Sequence, residues 1–325
     1  MKFILNSILF SLCATSALAQ SISLPLPSAD APESCQTLNS PPVERNVILY
    51  KSFDGDMKNF RLYDGKWTPH YDGGYDVSQR KWLGYDWISK RTLLSAHEQQ
   101  VYVDPQYSGN SNQPLGLNPF SVVDGNLRIT AASLPDQFKS ALPNFSFTSG
   151  LITTRSSFLQ MYGYFEIFAK VPHVKHFLPA FWLLPFDKSW PPEIDIFEAP
   201  GHLEDIITTT IHANDKTGKR YFSSCKNIVH GYQKSFHSYG VLWLPEKLVF
   251  YIDRNPVSIV KSPPGFNKPM YMLANLAIGG VWVGRKTDQL LAPVSMDIKD
   301  ISSYTLSDNP NCSSVQGGVK QCIGN

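Results

Sequence analysis

The stretch Trp190-Pro-Pro-Glu193-Ile-Asp195-Ile-Phe-Glu198-Ala-Pro-Gly201 sets three carboxylic acids among hydrophobic residues. Side chains two apart on a β-strand share a face, so Glu193 and Asp195 point together while Ile194 and Ile196 point the other way. On a regular strand Glu198, five positions past Glu193, would join the hydrophobic face. A β-bulge between Asp195 and Glu198 absorbs the extra residue and returns Glu198 to its companions, and bulges are over-represented beside active sites. The stretch therefore reads as a strand with a greasy face for a core and an acidic face for chemistry.

Three carboxylates this close repel one another and raise at least one pKa, which leaves one acid protonated while another stays ionised. That division of labour suits cleavage of a glycosidic bond. A retaining enzyme holds its two carboxyls roughly 5–5.5 Å apart and an inverting one roughly 6.5–9.5 Å. Alternate strand positions lie about 6.8 Å apart at the backbone, so converging side chains reach the shorter distance. Spacing alone does not assign the roles, and a calcium site or a solvated acidic strand face would use the same residue types.

Working outward, Tyr162 to Lys170 alternates, with Tyr164, Glu166 and Phe168 on one face and Phe165, Ile167 and Ala169 on the other. Glu166 is the odd member, either a solvated strand residue or a holder of a neighbouring charge. Phe181-Trp182-Leu-Leu184 reads as a buried strand. Thr208 to His212 is β-rich and pairs beside the acid strand, because sequential strands often neighbour each other, so His212 faces the cleft or serves the structure. Val241 to Pro245, Leu248 to Asp253 and the Asn255-Pro256 turn give strand, tight loop, strand, with Trp243 buried. Val47 to Tyr50 and the turn signals Asp54-Gly55 and Asp124-Gly125 continue the pattern. The best helical candidate, Pro135 to Leu142, is short. The chain thus reads as all-β, an antiparallel β-sandwich of two stacked sheets with jelly-roll form, one domain over 46–306 and no internal repeat.

The 325 residues carry 29 basic and 27 acidic side chains, a balance that argues against nucleic acid or an anionic membrane as partner. Lys2, an apolar run around Ile8 to Leu12 and Ala17-Leu18-Ala19 make residues 1–19 a secretory signal peptide, too short to span a bilayer. Its removal leaves Cys35, Cys225, Cys312 and Cys322, and four cysteines in an exported protein suggest two disulfides with three connectivities. Cys312 with Cys322 closes a small loop most simply, leaving Cys35 for Cys225. No C-x-x-C pair points to zinc. Residues 20–45 are Ser- and Pro-rich and read as a linker or surface strap, and 307–325 as a disulfide-tied tail. Between Asp64 and Asn118, Trp67, Trp82, Tyr85, Trp87, Tyr102 and Tyr107 sit in loop-like sequence, and one or two of these rings are expected at the cleft, since sugars stack on aromatics.

Glu193-Ile-Asp195-Ile-Phe-Glu198 resembles the E-x-D-x-x-E signature of glycoside hydrolase family 16, in the bulged form of its laminarinase-like and exopolysaccharide-depolymerase branches. Gly163 to Lys170, Pro179 to Leu184, Phe236 to Trp243, Lys268 to Gly280, Glu98 to Val103 and Val123 to Ala131 are similar to further strands of that family. The resemblance implies a concanavalin A-like jelly roll and a double displacement. In it Glu193 attacks the anomeric carbon, Glu198 serves as acid then base, and Asp195 tunes Glu193. It implies Trp182 as a stacking platform on the glycone side, with Trp190 as another candidate. His212, Asn275, Gly279, Gly280 and Trp282 fall where the family lines its cleft. No organic cofactor is implied. A structural calcium away from the cleft is, although no EF-hand-like loop is present.

The expectation is a secreted or periplasmic, monomeric, retaining endo-β-glycanase with a polysaccharide substrate and no membrane attachment once the leader is removed. Its substrate is expected to be a β-1,3/β-1,4-linked glucose polymer of the succinoglycan or mixed-linkage type, although agarose and carrageenan branches share the bulged signature. A transglycosylase would use the same acids, and a non-catalytic carbohydrate-binding protein the same sandwich.

Overall fold

The computed structural model describes residues 20–28, 31, 33–35, 43–71, 75–76, 81–82 and 91–324. The expected leader and the rings of Trp82, Tyr85 and Trp87 lie outside the described residues. Among the described residues no helix is long and apolar enough to cross a membrane.

In chain order the strands that build the site and its support are β1 (Ser21–Pro27), β2 (Val43–Asp54), β3 (Gln100–Tyr102), β4 (Asn126–Ser133), β5 (Leu151–Thr153), β6 (Gly163–Lys170), β7 (Phe177–Pro185), β8 (Glu193–Glu198), β9 (Ile206–Asn214), β10 (Arg220–Ile228), β11 (His237–Trp243), β12 (Lys247–Ile252), β13 (Asn255–Lys261), β14 (Met270–Ile278) and β15 (Val294–Thr305). A first sheet runs β13-β12-β11-β6-β15-β4, with β2 on β15 and β1 on β2. A second runs β10-β9-β8-β7-β14, with β5 also on β14. The neighbours in both runs are antiparallel. β3 joins by a parallel pairing with Phe147–Ser149.

The two sheets stack into the jelly-roll sandwich that the alternation predicts. Phe165, Ile167 and Ala169 of β6 with Val241 and Trp243 of β11 meet Phe181 and Leu183 of β7, Ile194 and Phe197 of β8, and Met272, Ala274 and Leu276 of β14. Large apolar side chains contribute about 1.5–3 kcal/mol each on leaving water, so this shared layer fixes which face of β8 turns outward.

The N-terminal segment is more regular than a linker. β1 pairs with β2 from Ser21↔Tyr50 to Leu26↔Arg45, and β2 begins at Val43, ahead of the expected boundary. Leu24 and Leu26, with Ile22 against them, cap a second apolar layer with Tyr164, Leu242 and Tyr251 on the outer face of the first sheet. Pro25 and Pro27 hid this strand, yet an edge strand tolerates proline because one side of its ladder is unpaired. The helical candidate at 135–142 contracts to a single 3₁₀ turn, Asp136–Phe138. A segment that short cannot repay helix nucleation.

Disulfides join Cys35 to Cys225 and Cys312 to Cys322. The tail is itself sheet: Lys320–Ile323 pairs with Asn311–Ser314 and, in parallel, with Phe158–Met161.

Candidate active site

β8 lies between β7 and β9, and both ladders slip at one place. Against β7, Phe197 faces Phe181 and Asp195 faces Trp182, which leaves Ile196 as the extra residue. Against β9, Glu193 faces His212, Asp195 faces Thr210 and Glu198 faces Thr208. Ile196 and Phe197 both drop into the core, 1% and 0% exposed, and this double step returns Glu198 to the face of Glu193 and Asp195. The strand pairing and bulge read from sequence are present.

Burial raises all three acids. Glu193 is held well above the usual carboxylate range by desolvation and then by Asp195, against the pull of His212 and the Trp190 indole. Asp195, only 4% exposed, is raised by desolvation and by Glu198. Glu198 is pushed up to about 7 by desolvation and by Glu193, while the Thr210 and Thr208 hydroxyls pull the other way.

These groups divide the protons between them. The Trp190 indole N–H can only donate, and it donates to Glu193 Oε2. A donor of this kind favours an ionised Glu193. Asp195 Oδ2 accepts no hydrogen bond, although His212 Nε2 stands 3.4 Å away. The Glu193–Asp195 hydrogen bond raises Glu193 and lowers Asp195, so the two carboxyls share one proton, while Glu198, pushed up to about 7, is poised as an acid/base. Glu193, Asp195 and a ring nitrogen of His212 also bring three potential ligand atoms within 4.8 Å of one another, enough to start a cation site. Among the described residues this is the one group of three or more His, Cys, Asp and Glu side chains placed in this way.

The acids open onto a cleft of about 250 Å³. Glu193, Asp195, Glu198, Trp182, Asn275 and Trp282 all line it. Trp182 is 7% exposed, closer to core than to a free platform, and its indole donates to Asn275 Oδ1 at 2.8 Å. That orients the Asn275 amide, whose nitrogen donates to the Tyr102 hydroxyl at 2.9 Å, and Tyr102 in turn donates to Glu98 Oε1 at 3.3 Å. Trp190 and His212 stand at the Glu193 end, with ring centroids 5.8 Å apart. Gly279 and Gly280 take positive φ of 74° and 122°, and a Cβ at Gly279 would strike the Gln99 side chain, so glycine is required where the loop turns into the cleft wall.

Of the loop aromatics, Tyr102 lies beneath the cleft, Trp67 joins the main core and Tyr107 a separate cluster. Glu166 is neither solvated nor in the cleft: it is buried on the first sheet and gripped by Arg254 at 2.8 and 3.0 Å. Tyr71 and Glu98 line the cleft without having been singled out. The only available signal for Glu98 was its place at the head of a family-like stretch, and Tyr71 sits in sequence with no period at all.

Residues 116–299 match the sequence profile described as Glycosyl hydrolases family 16. The chain is 43% identical over 262 residues to endo-1,3-1,4-beta-glycanase ExsH of Rhizobium meliloti, and 36% identical over 264 residues to endo-1,3-1,4-beta-glycanase EglC of the same organism. Both alignments cover 80% of this chain and 52% of the relative, so the chain spans about half the length of these curated relatives. The catalytic domain of an endo-1,3-beta-glucanase (laminarinase) from Thermotoga petrophila RKU-1 superposes with a TM-score of 0.60 at 21% identity, covering 80% of this chain and 99% of that one. An endo-beta-1,3-glucanase from Pyrococcus furiosus gives 0.60 at 23% identity, over 79% and 95%. These structural likenesses concern the fold, whereas the profile match covers more than half the sequence and includes the acid strand: the chain belongs to glycosyl hydrolases family 16.

Proposed function

We propose that the chain is an exported endo-acting β-glycanase that hydrolyses β-1,3/β-1,4-linked, glucose-containing polysaccharide by double displacement with retention. The observation that carries this reading is the bulge on β8, which gathers three acids on one face with unequal reasons to ionise. Glu193 attacks the anomeric carbon as the Glu198 proton passes to the departing oxygen, breaking the glycosidic bond and forming a glycosyl-enzyme ester. Glu198, now a carboxylate, takes a proton from water, and the resulting attack releases the sugar and restores Glu193. Asp195 shares a hydrogen bond and a proton with Glu193 and steadies its charge as the ester forms and breaks. No cofactor enters these steps.

The Rhizobium meliloti relatives are endo-1,3-1,4-beta-glycanases, which supports a β-1,3/β-1,4-linked backbone, and an exopolysaccharide of the succinoglycan type is our proposed target. The cationic start, apolar run and Ala17-Leu18-Ala19 support export.

The test is reducing-end release from laminarin, lichenan, succinoglycan, xyloglucan, agarose and carrageenan, with Glu193→Gln as control. Cleavage of one glucan, lost in the variant and giving first products of retained anomeric form by NMR, is the expected result. Inverted first products would overturn the mechanism. Equal binding of polysaccharide by both proteins without cleavage would favour a binding protein.

A further inference from the structure

The second sheet does not end at the acids. β9 and then β10 continue it on the side away from Trp182 and Asn275, and their register carries each acid across in a row. Glu193 faces His212, which faces Phe222. Asp195 faces Thr210, which faces Ser224. Glu198 faces Thr208, which faces Lys226. Cross-strand partners share a face, so Phe222 stands on the acidic face two strand spacings, about 10 Å, from Glu193.

A single exposed phenylalanine is ordinary on a protein surface, and three features set this one apart. It is 67% exposed, more than Trp190 at 50% and Trp282 at 42%. Its ring lies 6.1 Å from His212 at 40°, and His212 lies 5.8 Å from Trp190 at 37°, so three rings form an arc from the far strand back to the nucleophile position. Arg220, two residues before Phe222 and on the same face, holds its guanidinium 5.3 Å from the Trp190 ring and fixes the other end of the arc. β10 is an edge strand, yet the disulfide from Cys225 to Cys35 secures it three residues beyond Phe222.

Resting on the function proposed above, we propose that Phe222, with His212 and Arg220, forms a sugar-binding subsite on the leaving-group side of the scissile bond. It would take the apolar face of a β-linked pyranose unit, first as part of the departing chain and then as part of any incoming acceptor. A ring here stacks on C–H faces, and the guanidinium supplies donors to hydroxyls at the rim. This subsite bears on whether a sugar or water resolves the glycosyl-enzyme, a choice that the acids themselves leave open.

The experiment traps the glycosyl-enzyme with an activated 2-deoxy-2-fluoro glucan oligosaccharide, which fills the glycone side. Recovery of activity is then followed with and without an added β-glucan oligosaccharide acceptor. In Phe222→Ala the acceptor concentration for half-maximal recovery is expected to rise about three- to tenfold relative to wild type, the range of one aromatic contact. Phe222→Trp is expected to restore it, and Tyr221→Ala, on the opposite face of β10, to leave both recovery rates at wild-type values. An unchanged acceptor dependence in a folded Phe222→Ala protein would overturn the subsite. So would an equal loss in water-driven recovery, because that marks a structural effect. Failure of the wild type to form any trapped ester would overturn the double displacement, and this inference with it.

Discussion

Glu166 lies on the outer face of the first sheet and Glu198 on the outer face of the second, each with its carboxyl turned away from the shared core. Glu166 is gripped by Arg254 through two nitrogens and by the hydroxyl, at 2.9 Å, of Tyr164, which belongs to the apolar layer that β1 caps. Glu198 receives a hydroxyl from Thr210 at 3.2 Å, and its charged neighbours are acids. The fold can therefore neutralise a buried carboxylate where only structure is at stake. On β8 the cation is withheld, and burial appears instead as raised pKa values that poise the group for proton transfer.

The largest effect that separates the two regions is catalytic. Glu193→Gln and Glu198→Gln are expected to lower kcat/KM about 10³-fold or more while far-UV circular dichroism stays native, and azide should partly restore turnover where Glu198 is lost. Near-native rates in either amide variant would remove the distinction. Arg254→Met should do the reverse. It strands Glu166 without its cation, and urea unfolding is expected to register a loss of about 2–4 kcal/mol, below the cost for a fully enclosed pair because Arg254 is 44% exposed. Its kcat/KM should stay within about twofold of wild type.

The pH response sharpens the contrast. Glu198 must be protonated to release the leaving group, so kcat/KM is expected to fall as pH rises through about 7. A carboxyl whose folded pKa is raised binds more protons folded than unfolded. Its stabilising contribution is thus fully present below the unfolded value and is lost as pH climbs toward about 7. Glu198→Gln should remove that slope and unfold at higher urea than wild type at pH 8, by roughly 1–3 kcal/mol. A flat pH–stability difference between the two proteins would contradict the raised pKa.

Smaller effects are expected in the hydrogen-bonded floor of the cleft. Tyr102→Phe interrupts the run from Trp182 through Asn275 to Glu98, and KM for polymer should rise about fivefold with kcat nearly unchanged. Smallest of all, prolonged EDTA treatment should leave turnover within error. Metal-dependent loss, recovered by added cation, would instead make Glu193, Asp195 and His212 a cation site.

The sequence by itself determined the parts of this protein that rest on short-range period and spacing. The alternation of 163–170 named the core face of β6, and the five-residue step from Glu193 to Glu198 required the bulge that both neighbouring ladders contain. Adjacency in the chain was enough to put His212 beside the acids. Only the tertiary structure decided what depends on residues far apart in sequence. Arg254 meets Glu166 across 88 positions, Asn275 meets Tyr102 across 173, and Tyr71 and Glu98 reach the cleft from loops with no periodicity. Strand β1, masked by its prolines, was decided by pairing with β2, and Phe222 gained its place from the register of three strands. The physical reason is common to all of these. A strand's period says which side chains share a face, while what that face meets is set by sheet packing and loop closure, which no local window of residues contains.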